Sequence, residues 1–239
     1  MTIIPIIPLR TWSASRLKTF EQCKLRAQLA YGQKIPEPER PLPPGKSEHA
    51  NDRGQRIHDG AERYVNGSGP FLPELAKFRP EFESLRTLYA EGRASLEGEW
   101  GMDRDWAPVG YFDPAVWLRA KLDAIVFLSP QEAVVIDYKS GKRFGNELAH
   151  AEQTQLYQLV TFLRYPQLEL VHTELWYLDV DDLAHALFTR RQGLRLLPAF
   201  SRRGAAVTDA TAFPPSPNVF SCKWCPYGPR GTGHCDKGV

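Results

Sequence analysis

The run Val134-Val135-Ile136-Asp137-Tyr138-Lys139 constrains this 239-residue chain more than any other stretch. A β-branched apolar segment of this kind reads as a buried strand. Side chains alternate between the two faces of a strand, so Asp137 and Lys139 project from the same face. Upstream, residues 118–128 read as a second strand, and Ser129-Pro130-Gln131-Glu132 between the runs carries turn chemistry. A hairpin results. Pairing of its strands brings Asp123 toward Asp137 at one edge of the sheet, which is costly without a cation because close carboxylates raise one another's pKa.

A divalent cation removes that penalty. Mg²⁺ and Mn²⁺ take hard oxygen ligands, so two carboxylates, a main-chain carbonyl and water make a suitable shell. The bound ion activates water and stabilises charge on a phosphate, and a neighbouring lysine orients or deprotonates the water or offsets the developing charge. An isolated Asp-x-Lys is also what a solvated strand with a snorkelling lysine looks like, so the surrounding residues decide.

Those residues resemble a family. Asp123 followed by Asp137-Tyr138-Lys139 is similar to the core of the PD-(D/E)xK nucleases, specifically the RecB-like branch, over about residues 12–235. Members carry a histidine on an upstream helix, an aspartate ending one strand, Asp-x-Lys on the next and Gln-x-x-x-Tyr on the following helix. Arg53-Gly54-Gln55-Arg56-Ile57-His58 supplies the histidine and Gln153-Thr154-Gln155-Leu156-Tyr157 the last motif. The resemblance implies His58, Asp123, Asp137 and the Tyr138 carbonyl as metal ligands, Lys139 as the catalytic lysine, and Gln153 with Tyr157 contacting substrate or organising the site. The residues alone leave His58 open: with Glu62 it also forms an ordinary i,i+4 polar stripe beside the apolar Ile57, Ala61 and Val65.

Cysteine placement is the second strong signal. Cys23 lies near the start, and Cys222, Cys225 and Cys235 lie near the end. Cys222-Lys223-Trp224-Cys225 has a spacing used for both zinc and iron–sulfur ligation, and four thiolates complete either kind of site. Disulfides are the competing reading. Residues 1–9 are a short apolar stretch interrupted by Pro5 and Pro8, with no basic start, so no secretory leader is expected. One amino-terminal cysteine plus a carboxy-terminal trio is similar to the iron–sulfur subset of the same family, which includes AddB-type nuclease domains and CRISPR-adaptation nucleases. The resemblance implies a [4Fe–4S] cluster joining the chain ends. Two departures stand: Cys225 and Cys235 are further apart than is usual there, and Lys24 follows Cys23 where proline is common. Structural Zn²⁺ is the alternative.

With 42% hydrophobic residues, the chain is long enough to bury one substantial core. No apolar run reaches the roughly 18 to 20 residues that cross a bilayer, so no membrane role and a cytoplasmic location are expected. The net charge is only +2, from 30 basic and 28 acidic side chains, so DNA attraction must come from a local groove. Arg190, Arg191, Arg195, Arg202 and Arg203 form the best stretch for it, or else an ordinary solvated helix face.

Helices are expected over residues 13–31, from a Ser47 cap to 65, over 80–93 and over 147–165, with a proline-rich connector at 36–45. Strands are expected within 94–139 and at 168–179. Glu99 on the first strand is a further carboxylate that reads best as a surface residue. The expected architecture is α/β: a PD-(D/E)xK core with a central mixed sheet flanked by helices. One domain spans 1–239, comprising a helical part (12–66), the catalytic core (94–180) and a cysteine-rich segment (220–239) packing with Cys23.

The resemblance implies a Mg²⁺- or Mn²⁺-dependent deoxyribonuclease, an exonuclease acting on single-stranded DNA or DNA with free ends. Its settings would be phage recombination, repair or CRISPR spacer acquisition, with recombination or CRISPR-adaptation proteins as partners. The alternative is a DNA-end-binding recombination module that cleaves little. A purely structural metal protein leaves the Asp, Asp-x-Lys and Gln-x-x-x-Tyr series unexplained.

Overall fold

The computed structural model describes residues 6–141 and 143–238; the first five residues of the amino-terminal stretch considered above lie outside that range. Its centre is a six-stranded sheet in the order β2-β1-β3-β4-β5-β6. The strands are β1 (Ala94–Met102), β2 (Pro108–Gly110), β3 (Leu118–Ser129), β4 (Glu132–Lys139), β5 (Leu170–Tyr177) and β6 (Asp182–Thr189). Among these six strands, β4 and β5 are the one parallel pair. Their connection contains helix α5 (Glu147–Arg164), as a parallel pair requires. The fold is therefore α/β with a mixed sheet flanked by helices. Asp123 and Asp137 lie on its two central strands rather than at an edge.

Two apolar clusters cover the two faces. Ala133 and Val135 of β4 pack with Leu156, Leu159, Val160 and Phe162 of α5, and with Phe200 and Val207 of the helix Leu197–Thr208. On the other face, Ile136 and Tyr138 pack with Ile57 and Ala61 of α3 (Ala50–Val65) and Phe82 and Leu85 of α4 (Arg79–Ala90). The odd and even residues of β4 thus serve opposite cores, as the period of a strand demands.

Trp12 ties the amino-terminal segment to the sheet. Its N–H donates to the Trp117 carbonyl and its carbonyl accepts from Arg119, both at 2.9 Å. The indole is fully buried against Trp106, Trp117 and Phe200.

Several expected boundaries move. The helix expected over 13–31 is broken: α1 (Ala14–Gln22) stops at Cys23, whose backbone is extended, and α2 (Lys24–Ala27) runs into a π turn at Gln28–Gly32. The helix expected from Ser47 begins at Ala50, with His49 at its N-cap. β6 was not anticipated, because its residues alternate only between half-buried and exposed and include no strong apolar run.

Candidate active site

Strands β3 and β4 part where the acidic residues sit. Their antiparallel register runs from Ser129↔Glu132, through an irregularity before Phe127↔Ala133, to Ala124↔Ile136 and ends there, so Asp123 and Asp137 fall just beyond the last ladder pair. The Tyr138 N–H donates instead to Asp123 Oδ2 at 2.6 Å. Both carboxylates are buried, at 8% and 4% exposure.

Three elements converge on this opening, which forms a cleft of about 450 Å³. Helix α3 contributes His58, whose neighbours Ile57 and Ala61 are fully buried and fix which side of the helix faces the sheet. Arg53, one turn earlier, pairs with both oxygens of Asp179 at 3.0 and 2.7 Å and donates to the Ser140 carbonyl at 3.3 Å. That arginine clamps α3 to the end of β4, a role not visible in the sequence. His58 Nδ1 lies 2.9 Å from Asp123 Oδ1.

Helix α5 contributes Gln153 and Tyr157 one turn apart. It ends at Arg164, and its C-cap Tyr165 precedes Pro166, where an αR conformation is disfavoured. The Gln153 amide matches the charge on either side of it. Its oxygen accepts from Lys139 Nζ at 2.8 Å, while Nε2 donates to Tyr157 OH at 2.7 Å and to Asp137 Oδ1 at 3.3 Å. Lys139 Nζ in turn lies 2.5 Å from Asp137 Oδ2. The two form a largely buried ion pair, so the ammonium is the counter-charge of this carboxylate oxygen.

Burial raises the Asp123 pKa, and the Asp137 charge adds to the effect while the His58 hydrogen bond opposes it. For His58, burial disfavours the imidazolium, but the Asp123 hydrogen bond and the surrounding carboxylates outweigh it and the pKa is raised. Burial holds the Tyr138 and Tyr157 phenols well above their ordinary value, so both remain protonated.

His58, Asp123, Asp137, Tyr138, Lys139, Gln153 and Tyr157 therefore all border one cleft. A further residue joins them: one ligand atom each of His58, Asp123 and Glu97 lie within 4.8 Å of one another. Sequence reasoning considered Glu99 and not Glu97. Glu99 is exposed and pairs in register with Lys121, whereas Glu97 falls opposite Asp123, a relationship that depends on register alone. Glu62 borders no part of the cleft. Two of the five arginines in the expected phosphate-binding stretch are committed elsewhere. Arg190 donates to the carbonyls of Phe162, Tyr165 and Leu168. Arg203 pairs with Glu21, at 2.6 and 2.7 Å, and with Glu152. Arg191, Arg195 and Arg202 are exposed.

The cysteines meet at a second place. Cys23, Cys222, Cys225 and Cys235 border one apolar cavity together with Leu25 and Leu29. All four are free thiols. Burial raises the Cys235 pKa, and the neighbouring Cys225, Cys23 and Cys222 add to the shift. The carboxy-terminal segment is anchored by Tyr227, whose buried OH donates to the Ile35 carbonyl at 3.0 Å.

Among solved structures, the crystal structure of SSO0001 resembles this chain with a TM-score of 0.47 and 14% identity, covering 96% of this chain and 87% of that one. An alkaline exonuclease (LHK-Exo) from Laribacter hongkongensis resembles it with a TM-score of 0.33 and 9% identity, over 84% and 87%. The same exonuclease in complex with dAMP gives 0.31 and 11%, over 83% and 86%. No curated protein matches the sequence. The family model of the PD-(D/E)XK nuclease superfamily matches residues 11–230, and with nearly the whole chain matched the protein belongs to that superfamily.

Proposed function

We propose that this chain is a Mg²⁺- or Mn²⁺-dependent deoxyribonuclease of the RecB-like type that digests DNA from free ends, with a preference for single-stranded or frayed termini. The observation that carries the reading is the splayed β3–β4 opening, where two buried carboxylates, a histidine and a lysine meet in one cleft. Its donor set fits a hard divalent cation: two buried carboxylates and the His58 imidazole face one cleft, with the Lys139 ammonium balancing Asp137 Oδ2. His58, Asp123, Asp137 and the Tyr138 carbonyl would hold the ion. When bound, it supplies Lewis-acid stabilisation of the phosphate and lowers the pKa of water.

The chain's own residues do the rest. Lys139, held between Asp137 and Gln153, presents an ammonium to the developing charge and to the attacking water. Gln153 fixes the lysine with its oxygen and Asp137 with its nitrogen, and Tyr157 fixes Gln153. Phosphate contacts position any sequence alike, and Phe144 and Leu148, which flank the cleft residue Asn146 in sequence, are exposed.

The convergence of the four cysteines supports a metal-cluster staple between the chain ends, for which we favour [4Fe–4S] over Zn²⁺. The ground for that preference is the resemblance to the iron–sulfur subset of the family; the spacing of the cysteines suits either. Residues 12–66, 94–180 and 220–239 act in this reading as parts of one catalytic domain. Phage recombination, repair or spacer acquisition is the setting it fits, with the corresponding protein assemblies as partners. Among the described residues no helix is long and apolar enough to cross a membrane.

The test is anaerobic purification followed by incubation with end-labelled linear and circular DNA, with Mn²⁺ or with chelator. We expect Mn²⁺-dependent loss of linear DNA, single strands fastest. Equal cleavage of circular single strands would refute end dependence, and binding of ends without hydrolysis would favour the end-binding module.

A further inference from the structure

We propose that His172 and His185 form a separate metal site, at the other end of β4 from the cleft, that takes a borderline transition ion such as Zn²⁺ and pins the edge strand β6 to β5. The site does not depend on the nuclease reading.

Strand register assembles the group. In the β4–β5 ladder Val134 pairs with His172, and in the β5–β6 ladder His172 pairs with Leu187 and Glu174 with His185. Cross-strand partners share a face and a strand repeats every two residues, so Glu132, His172, Glu174 and His185 stand on one side of the sheet. It is the side on which Ile136 and Trp176 pack with Phe82 and Leu85 of α4. Outside that cover, His185 is exposed and the His172 side chain is 20% exposed. At about 3.3 Å per residue, the stretch of β4 from Glu132 to Asp137 puts about 17 Å between this place and the cleft.

The chemistry of the side chains fixes their hydrogens. Glu132 Oε1 lies 2.8 Å from His172 Nε2, and a carboxylate only accepts, so Nε2 carries the hydrogen. In the neutral ring the lone pair then sits on Nδ1. That atom accepts from His185 Nε2, 2.8 Å away. Two imidazole nitrogens thus converge on one hydrogen, and a carboxylate holds the far side of one ring. A carboxylate in that position fixes the tautomer of a metal-ligating histidine and raises its basicity. Glu174, whose Oε2 accepts from the Trp176 indole at 2.8 Å, adds a second negative charge opposite His185.

A dication can take the place of that hydrogen. With Zn–N bonds of about 2.0–2.1 Å, two tetrahedral ligands stand about 3.3 Å apart, so the pair opens by about half an ångström. An exposed ring on an edge strand supplies that by rotation. His185 moves its hydrogen from Nε2 to Nδ1, both rings stay neutral, and water completes the shell. Imidazole donors suit Zn²⁺, Cu²⁺ or Ni²⁺, whereas Mg²⁺ and Mn²⁺ prefer the oxygens of the cleft. The two places therefore differ in the ion they take.

Zn²⁺ titration of the full chain, purified without oxygen and held in excess Mg²⁺, tests this when the histidine ring nitrogens are followed by NMR. The His172 and His185 rings should respond together, and the His185 hydrogen should move from Nε2 to Nδ1. By calorimetry, His172→Ala and His185→Ala should each bind one Zn²⁺ fewer than wild type. Glu132→Ala should keep that ion but bind it about 10- to 100-fold more weakly, the scale set by loss of a group that orients a ligating histidine. Asp137→Ala, which alters the cleft, should leave the response of both rings unchanged. Zn²⁺ should also raise the melting temperature of wild type more than that of His185→Ala, because an ion that binds only the folded state stabilises it. Rings that stay unchanged while Zn²⁺ enters the cleft or the thiols, or wild-type Zn²⁺ stoichiometry and affinity in either histidine variant, would overturn the assignment and leave the pair as a hydrogen-bonded link between strands.

Discussion

The Tyr138 backbone N–H donates to Asp123 Oδ2 at 2.6 Å, in place of the ladder bond that β4 would otherwise make with β3. One side chain thereby satisfies a buried backbone donor at the point where two central strands separate. The separation creates the cleft, and the hydrogen bond keeps a buried carboxylate turned toward it. Asp137, Tyr138 and Lys139 remain rigid because β4 still pairs with β5 through Lys139↔Tyr177.

Replacing Asp137 or Lys139 by alanine should abolish metal-dependent cleavage. Loss of one preorganised electrostatic group typically costs about 10²- to 10³-fold, and more where the ion is lost as well. Folding and DNA binding, followed by circular dichroism and fluorescence anisotropy, should stay close to wild type. A near-normal turnover rate in either variant would remove these residues from the mechanism.

Gln153 touches Lys139, Asp137 and Tyr157 at once, so its removal should disturb the lysine's position rather than DNA affinity. For Gln153→Ala we expect kcat to fall about 10- to 100-fold with KM little changed. Tyr157→Phe leaves the Gln153 Nε2 donor without its phenol acceptor and should show a smaller effect of the same kind. A rise in KM with normal kcat in Gln153→Ala would show that Gln153 binds substrate instead.

The His58 pKa is raised above its ordinary 6.5, burial opposing and the Asp123 hydrogen bond and nearby carboxylates prevailing. A group whose folded pKa exceeds its unfolded one contributes stability in full below the unfolded value, and that contribution is lost as pH rises through the folded one. In chelator, the stability difference between wild type and His58→Gln should therefore shrink as pH is raised from about 6 upward. Urea denaturation at several pH values measures it. A difference that grows with pH would mean that folded His58 is held neutral.

Protein purified without oxygen should be brown and contain iron, and serine at any one of Cys23, Cys222, Cys225 or Cys235 should bleach it. Ligation joins segments from opposite ends of the sequence, so the variants should lose thermal stability more than they lose chemistry in the remaining folded fraction. Colourless, stable protein with one zinc per chain would replace iron by zinc in the same staple.

Much of the site was legible in the sequence because it is built on local periods. Asp137 and Lys139 share a face since a strand repeats every two residues, and Gln153 and Tyr157 share a face since a helix returns every four. The turn at Ser129-Pro130-Gln131 joined the strands that carry Asp123 and Asp137. What lay outside the sequence's reach depends on partners chosen across long separations. Glu97 faces Asp123 only through the β1–β3 register, and Glu99, the carboxylate two residues on, faces solvent. Arg190 and Arg203 looked like phosphate binders and instead hold backbone carbonyls and glutamates of distant helices. The helix expected over 13–31 breaks at Cys23, where the backbone turns extended. Helix and strand periods are written residue by residue, whereas register, the splaying of strands and the pairing of charges are settled only when the elements pack, and it is this packing that turned a readable set of residues into a cleft.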